Sequence, residues 1–131
     1  MKRRILIVDD DADLTRLLSA VLSRDYEVFV AASGRLGLRL CLQQAPDLVL
    51  LDLKLDDMGG QEVLKAILAR RSAPMVVVLS ANSSLSLARR IVRLGAHDYM
   101  SKPFDMEELQ EMIRAALDGR PAAGHDRCRA G

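Results

Sequence analysis

Apolar residues along the chain follow two alternating rhythms. ILIV (5–8), EVFVA (27–31), DLVLLD (47–52), MVVVLS (75–80) and HDYMS (97–101) are short aliphatic-rich runs that predict strands. The third and fourth runs are almost unbroken Leu and Val, which predicts strands buried on both faces. Between the runs, apolar residues recur at helical spacing. Leu14, Leu17, Leu18, Val21 and Leu22 form one stripe, and Val63, Leu64, Ile67 and Leu68 another. Leu87, Ile91 and Leu94 mark a fourth helix, and Leu109, Met112, Ile113 and Ala116 a fifth. Pro46, Pro74, Gly95 and Gly119 stand where the second to fifth helices should stop. Five strands in strict alternation with five helices predict a doubly wound α/β domain with a parallel sheet and helices on both faces.

The second helix, GRLGLRLCLQQ, fits its pattern least well. At about 100° per residue, Leu38, Cys41 and Leu42 share one face and Leu36 and Leu40 lie roughly opposite. Gly37 sits inside the helix and weakens it. The outward leucines are either scattered surface residues or a contact for a partner or second copy.

Composition narrows the class. A chain of 131 residues suffices for one domain with a real core. Tyr26, Phe29, Tyr99 and Phe104 are the only aromatics, so the core is aliphatic. A net charge of +1 gives no electrostatic footprint for nucleic acid or an anionic membrane. The apolar run after MKRR is cut by aspartates within four residues, far short of a signal or membrane segment. Cys41 lies in a helical pattern and Cys128 in a polar tail, which argues against a disulfide framework and for a reducing, cytoplasmic compartment. The stretch after Leu117, DGRPAAGHDRCRAG, reads as a loose tail or the start of a linker. The expected division is a domain over 1–118 and a tail over 119–131.

In a doubly wound sheet, ligands bind at the carboxyl ends of the strands. Asp9, Asp10 and Asp11 follow the first strand, Asp52 closes the third, Ser80 closes the fourth and Lys102 follows the fifth. Taken singly, each has an ordinary explanation as a turn, cap or solvated charge. Together at one sheet edge they argue for one site. Neighbouring carboxylates need a counter-charge, and Lys102 supplies only one. A hard divalent cation such as Mg²⁺ is the natural complement where a phosphate group also binds. Asp11 is placed to cap the first helix.

IVDDDADL, PDLVLLDLKLDDMGG, VVLSA and GAHDYMSKPF together resemble, in order and spacing, the signatures of response-regulator receiver domains, over residues 3 to about 118. The resemblance implies a flavodoxin-like sheet of strand order 2-1-3-4-5. It implies that Asp52 accepts a phosphoryl group from the phosphohistidine of a sensor histidine kinase, from a phosphotransfer protein or from a small phosphodonor. Asp10 would bind Mg²⁺ directly and Asp9 through water, with Asp52 and the Lys54 backbone carbonyl as further ligands. Ser80 would hydrogen-bond the phosphoryl group and Lys102 would pair with it, next to a cis Lys102–Pro103 bond. Tyr99 would be the switch aromatic. The fourth helix, fifth strand and fifth helix would carry the readout, including a candidate homodimer contact. Arg89, Arg90 and Arg93 lie there as a candidate partner surface, although such arginines are commonly a solvated face. The family also implies a switch that catalyses its own phosphorylation and dephosphorylation, not a metabolic enzyme.

Three positions depart from the family pattern. Asp56 stands where proline is usual, so the loop after Asp52 should be less stiff and more negative. Ser80 replaces the commoner threonine and lacks the methyl group that restricts χ1. Lys54 stands where its ammonium could shield a phosphoryl group from water, or simply be solvated. Alternatives are a phosphorylation-independent interaction module and a haloacid-dehalogenase-type phosphatase using Asp9 and Asp11 as a DxD pair. The latter leaves Asp52 without a role. A flavin or nucleotide binder on this fold is disfavoured by the triply acidic first loop, where phosphate cradles use glycine and hydroxyl residues.

Overall fold

The structure, a computed structural model, describes residues 2–119. Its elements run β1 (Arg4–Val8), α1 (Ala12–Leu22), β2 (Glu27–Ala31), α2 (Gly34–Gln44), β3 (Leu48–Asp52), α3 (Gly60–Leu68), β4 (Met75–Ser80), α4 (Leu85–Arg93), β5 (Asp98–Ser101) and α5 (Met106–Leu117). The strands form one parallel sheet in the order β2-β1-β3-β4-β5. The expected architecture is therefore the observed one. Arg4 joins β1 by pairing with Glu27. Asp47, expected to open β3, lies just before it, and its carboxylate accepts the Arg4 N–H at 2.8 Å. The tail from residue 120 on, with His125 and Cys128, lies outside the described residues. Among the described residues, no helix is long and apolar enough to cross a membrane.

Alternate strand residues feed two cores. Leu6, Val8, Val49, Leu51, Val76 and Val78 face the side covered by α2, α3 and α4. Ile5, Ile7, Leu48, Leu50, Val77 and Leu79 face the side covered by α1 and α5. This explains the apolar runs of β3 and β4: with helices on both faces, polar side chains enter these strands only at their carboxyl ends, as Asp52 and Ser80. Each such side chain contributes about 1.5–3 kcal/mol on burial, so the central strands are the rigid base on which the sheet-edge residues stand.

The inward face of α2 differs from the expectation. Gly34, Gly37 and Cys41 are its buried residues, with Leu38 and Leu40 packed partly against the core. Leu42, expected inside, is 69% exposed. The reason is a close approach: a Cβ on Gly37 would lie 2.8 Å from Cγ2 of Val8. Glycine lets α2 settle onto β1, and that contact, not the leucine pattern, sets how the helix is turned. Cys41 is a buried free thiol, and burial pushes its pKa up.

Candidate functional site

β1 and β3 are neighbours, but the chain leaves them in opposite directions across the sheet, so a crevice opens at their carboxyl ends. Asp9 follows β1 directly, and its N–H donates to the Ala31 carbonyl at 3.0 Å, prolonging the β1–β2 pairing. Its carboxylate is only 2% exposed. One oxygen, Oδ1, accepts the Asp11 N–H at 2.9 Å; the other, Oδ2, accepts from Lys102 Nζ at 2.8 Å. Asp10 is exposed beside it. Asp11 is the N-cap of α1, accepting from the Asp13 and Leu14 amides at 3.1 and 3.2 Å. Of the three consecutive aspartates, one is a cap, as its position suggested. Both capping bonds fall on the Asp11 Oδ1.

Asp52 ends β3 and is buried. Its Oδ1 accepts the Lys54 N–H at 3.3 Å, and its Oδ2 lies 3.6 Å from the Lys102 ammonium. Burial, the nearby Asp9 carboxylate and, more weakly, Asp10 raise the Asp52 pKa above the ordinary aspartate value, against the Lys54 amide and Lys102, which pull it down. Burial works against the Lys102 charge, but the Asp9 and Asp52 carboxylates outweigh it and hold its pKa above the usual lysine value. The Lys102 N–H donates to the Ser80 carbonyl at 2.7 Å, which fixes the lysine's backbone to the end of β4. The Lys102–Pro103 bond is cis.

Asp9, Asp10 and Asp52 each offer a carboxylate oxygen, and these oxygens all lie within 4.8 Å of one another. An all-oxygen set, part buried and part open to water, suits a hard divalent cation that keeps some of its waters. Soft ligands are missing from the cluster, and Lys102 alone leaves it net negative. Ser80 is buried at the end of β4 and its hydroxyl accepts the Asn82 N–H at 3.1 Å. That hydroxyl still has its own proton to donate.

Tyr99 is buried in the core on the α2–α4 side, and its hydroxyl donates to the Asn82 carbonyl. The aromatic is thus turned inward and tied to the loop that Ser80 begins. Arg89, Arg90 and Arg93 are exposed on α4, apart from the carboxylate cluster. Together with Leu85 and Ser86 they line a shallow groove of about 420 Å³. The Lys54 side chain is exposed.

Two contributors were not apparent from the chain alone. Asn82 receives the Tyr99 hydroxyl and donates to Ser80. Asp57 accepts the Gly34 and Arg35 amides at 2.8 and 3.0 Å, which ties the tip of the loop after Asp52 to α2. The Tyr99–Asn82 bond and both Asp57 bonds join residues distant in sequence, which no local pattern marks.

This sheet, with its polar crevice at the carboxyl edge, is the CheY-like, flavodoxin-like class of α/β domain. The family model of the response regulator receiver domain matches residues 5–114, and the chain belongs to that family, a family of signalling switches. Sporulation initiation phosphotransferase F of Bacillus subtilis is 35% identical over 118 residues, covering 89% of this chain and 95% of that protein. Transcriptional regulatory protein KdpE of Mycobacterium tuberculosis is 39% identical over 120 residues, covering 91% of this chain and 53% of that protein. The chain thus spans about half of KdpE, and only 25% of regulatory protein AtoC of Escherichia coli, which it matches at 36% identity over 87% of its own length. Among solved structures, a CheY-like receiver domain protein from Methanospirillum hungatei aligns with a TM-score of 0.83 at 33% identity, covering 91% of this chain and 96% of that one.

Proposed function

We propose that the chain is a phosphorylation-controlled receiver in which Asp52 takes a phosphoryl group from the phosphohistidine of a sensor histidine kinase, from a phosphotransfer protein or from a small phosphodonor. The observation that carries this reading is the Lys102 ammonium set between Asp9 and Asp52, 2.8 and 3.6 Å away, at the mouth of the crevice. An Asp52 oxygen attacks phosphorus, the bond from phosphorus to the donor nitrogen breaks, and the leaving imidazole takes its proton from solvent. A carboxylate nucleophile needs no base to remove a proton, so a site without histidine suffices.

The residues divide the work. Asp9, Asp10, Asp52 and the Lys54 carbonyl form the ligand set for Mg²⁺, which when bound supplies positive charge to the phosphoryl oxygens. Asp9 is held at both oxygens, so it enters the site already oriented. Lys102 moves from Asp52 toward a phosphoryl oxygen while keeping Asp9. Ser80 donates its free proton to another. The added dianionic group biases the loop that joins Ser80, Asn82 and Tyr99, and the α4–β5–α5 surface with Arg89, Arg90 and Arg93 transmits the change to a partner or second copy. Residues 1–118 make up the switch, residues 119–131 a tail or linker, and the compartment is the cytoplasm.

The test is intact mass after incubation with acetyl phosphate, with and without Mg²⁺, for the wild type and Asp52→Ala. One phosphoryl adduct that requires both Mg²⁺ and Asp52 is expected. An adduct that persists in Asp52→Ala would move the acceptor elsewhere. A folded protein that forms no adduct would make this an interaction module that works unmodified.

A further inference from the structure

We propose that Asp57 is a positioning residue: it fastens the loop that follows Asp52 to the start of α2 and thereby sets the spacing between the two acidic halves of the site. The inference rests on the phospho-acceptor reading and adds a residue to it. The loop from Leu53 to Gly60 is closed at its base by an antiparallel bridge between Lys54 and Gly59 and by the Gly60 N–H, which donates to the Leu53 carbonyl at 3.1 Å. A Cβ on Gly60 would lie 2.3 Å from the Leu53 Cα, so this closure is tight. At the tip, the two Asp57 oxygens are divided between the Gly34 and Arg35 amides. These amides belong to the first turn of α2, where N–H groups have no partner within the helix. The Ser33 hydroxyl caps the next one, Leu36, at 3.2 Å. Met58 completes the join, since a Cβ on Gly34 would come within 2.9 Å of its Cγ.

The same stretch of chain also touches the other half of the site. Ala31, three residues before Gly34, accepts the Asp9 N–H. The stretch from the end of β2 into α2 therefore holds Asp9 through Ala31 and, through Asp57, the loop bearing Lys54. Lys54 in turn donates its N–H to Asp52. Without Asp57, the tip of the loop loses both of these hydrogen bonds to α2, and the Lys54 main chain is free to drift relative to Asp9. The spacing on which cation binding and in-line attack depend then loosens.

Asp57→Ala and Asp57→Asn, compared with the wild type, test this. In the wild type, the Gly34 and Arg35 amide resonances should shift together as a carboxyl titrates below the ordinary aspartate range. Asp57→Ala should abolish that shared shift. It should raise the Mg²⁺ concentration for half-saturation, read by amide shifts around Asp9 and Asp52, by about three- to tenfold, and slow adduct formation from acetyl phosphate by a similar factor. Asp57→Asn keeps one acceptor oxygen and should fall between. A folded Asp57→Ala with wild-type Mg²⁺ affinity and wild-type phosphorylation would overturn the proposal. If Asp57→Ala does not fold, the same comparison on Asp57→Asn decides. If the wild type itself takes up no phosphoryl group, the phospho-acceptor reading fails, while the amide titration and Mg²⁺ affinity still decide the role of Asp57.

Discussion

The Lys102 ammonium lies closer to Asp9 than to Asp52, at 2.8 against 3.6 Å, although it was expected as a partner of the phosphoryl group on Asp52. Asp9 is therefore the anchor of the lysine, and Asp52 holds it loosely enough to release it. Removing the lysine leaves two buried carboxylates facing each other. Lys102→Ala should cost on the order of 3 kcal/mol at neutral pH, with the deficit shrinking toward acid as the carboxyls take up protons. Because the Lys102 pKa is raised above the ordinary 10.5, its contribution in the wild type is fully present below that value and is lost as pH rises through the higher folded value. Urea unfolding of wild type and variant between pH 5 and alkaline pH reads both trends. A variant as stable as wild type at pH 7 would show that the pair is only a surface contact.

Asp52→Asn should abolish the phosphoryl adduct and yet stabilise the fold. The Asp52 pKa is raised, chiefly by burial and by Asp9, above the ordinary 3.8. Between the unfolded value and the raised folded value, the native protein binds more protons than the unfolded chain, so stability falls as pH rises through that window. The ionised carboxylate is thus a burden on the fold above it. An amide of the same shape removes the burden, and Asp9 keeps Lys102 paired. The expected gain is about 1 kcal/mol at neutral pH, seen as a higher melting temperature. The gain should vanish at pH values where Asp52 is protonated.

The fold could be read from the chain because the two periodicities are clean and the alternation is strict. The placement of the candidate residues could be read because a parallel sheet sends every strand's end to one edge, where Lys102 lies between Asp9 and Asp52 and Ser80 closes β4 beside them. What escaped were contacts made by residues that leave no pattern. Gly34 and Gly37 are the inward face of α2, and small residues carry no hydrophobic signal, so Leu42 was placed inside when it is outside. Asp57 sits beside Asp56 and looks like one more loop acid, yet its partners are the amides of Gly34 and Arg35. The Tyr99–Asn82 hydrogen bond joins a strand to a loop and has no local signature.

Lys54 is tied through its backbone and free at its end. Its N–H serves Asp52 and its main chain pairs with Gly59, while its side chain is exposed. An ammonium on a flexible stem at this place can reach over a phosphoryl group on Asp52 and hinder water. Lys54→Ala should therefore shorten the lifetime of the adduct by about three- to tenfold, a change of about 1 kcal/mol in barrier. Phosphorylation itself should be little affected, because the backbone groups remain. The decay of the phosphorylated mass peak after removal of acetyl phosphate measures it, and an unchanged decay would reduce Lys54 to a solvated lysine.

The contact between Gly37 and Val8 links the packing of α2 to the acidic pair. Judged by helix propensity alone, Gly37→Ala should stabilise the protein by about 1 kcal/mol. The added Cβ, however, would stand 2.8 and 3.0 Å from the two Val8 methyl carbons, and Val8 is fully buried. Overpacking of this kind costs about 1–3 kcal/mol, so the net effect should be a loss of about 1 kcal/mol. Val8→Ala alone should also destabilise, by about 2 kcal/mol, through the cavity it leaves. In the double variant the new methyl group of residue 37 occupies part of that cavity. The two losses should then fall short of additivity by at least about 1 kcal/mol. Urea unfolding of the three variants measures the coupling, and strict additivity would mean that α2 can shift away from β1 at no cost. Val8 is followed directly by Asp9, whose N–H donates to the carbonyl of Ala31, the last residue of β2 before the turn into α2. Pressure on Val8 therefore reaches the first carboxylate of the site, and Gly37→Ala should weaken Mg²⁺ binding in the folded protein while the double variant recovers part of it.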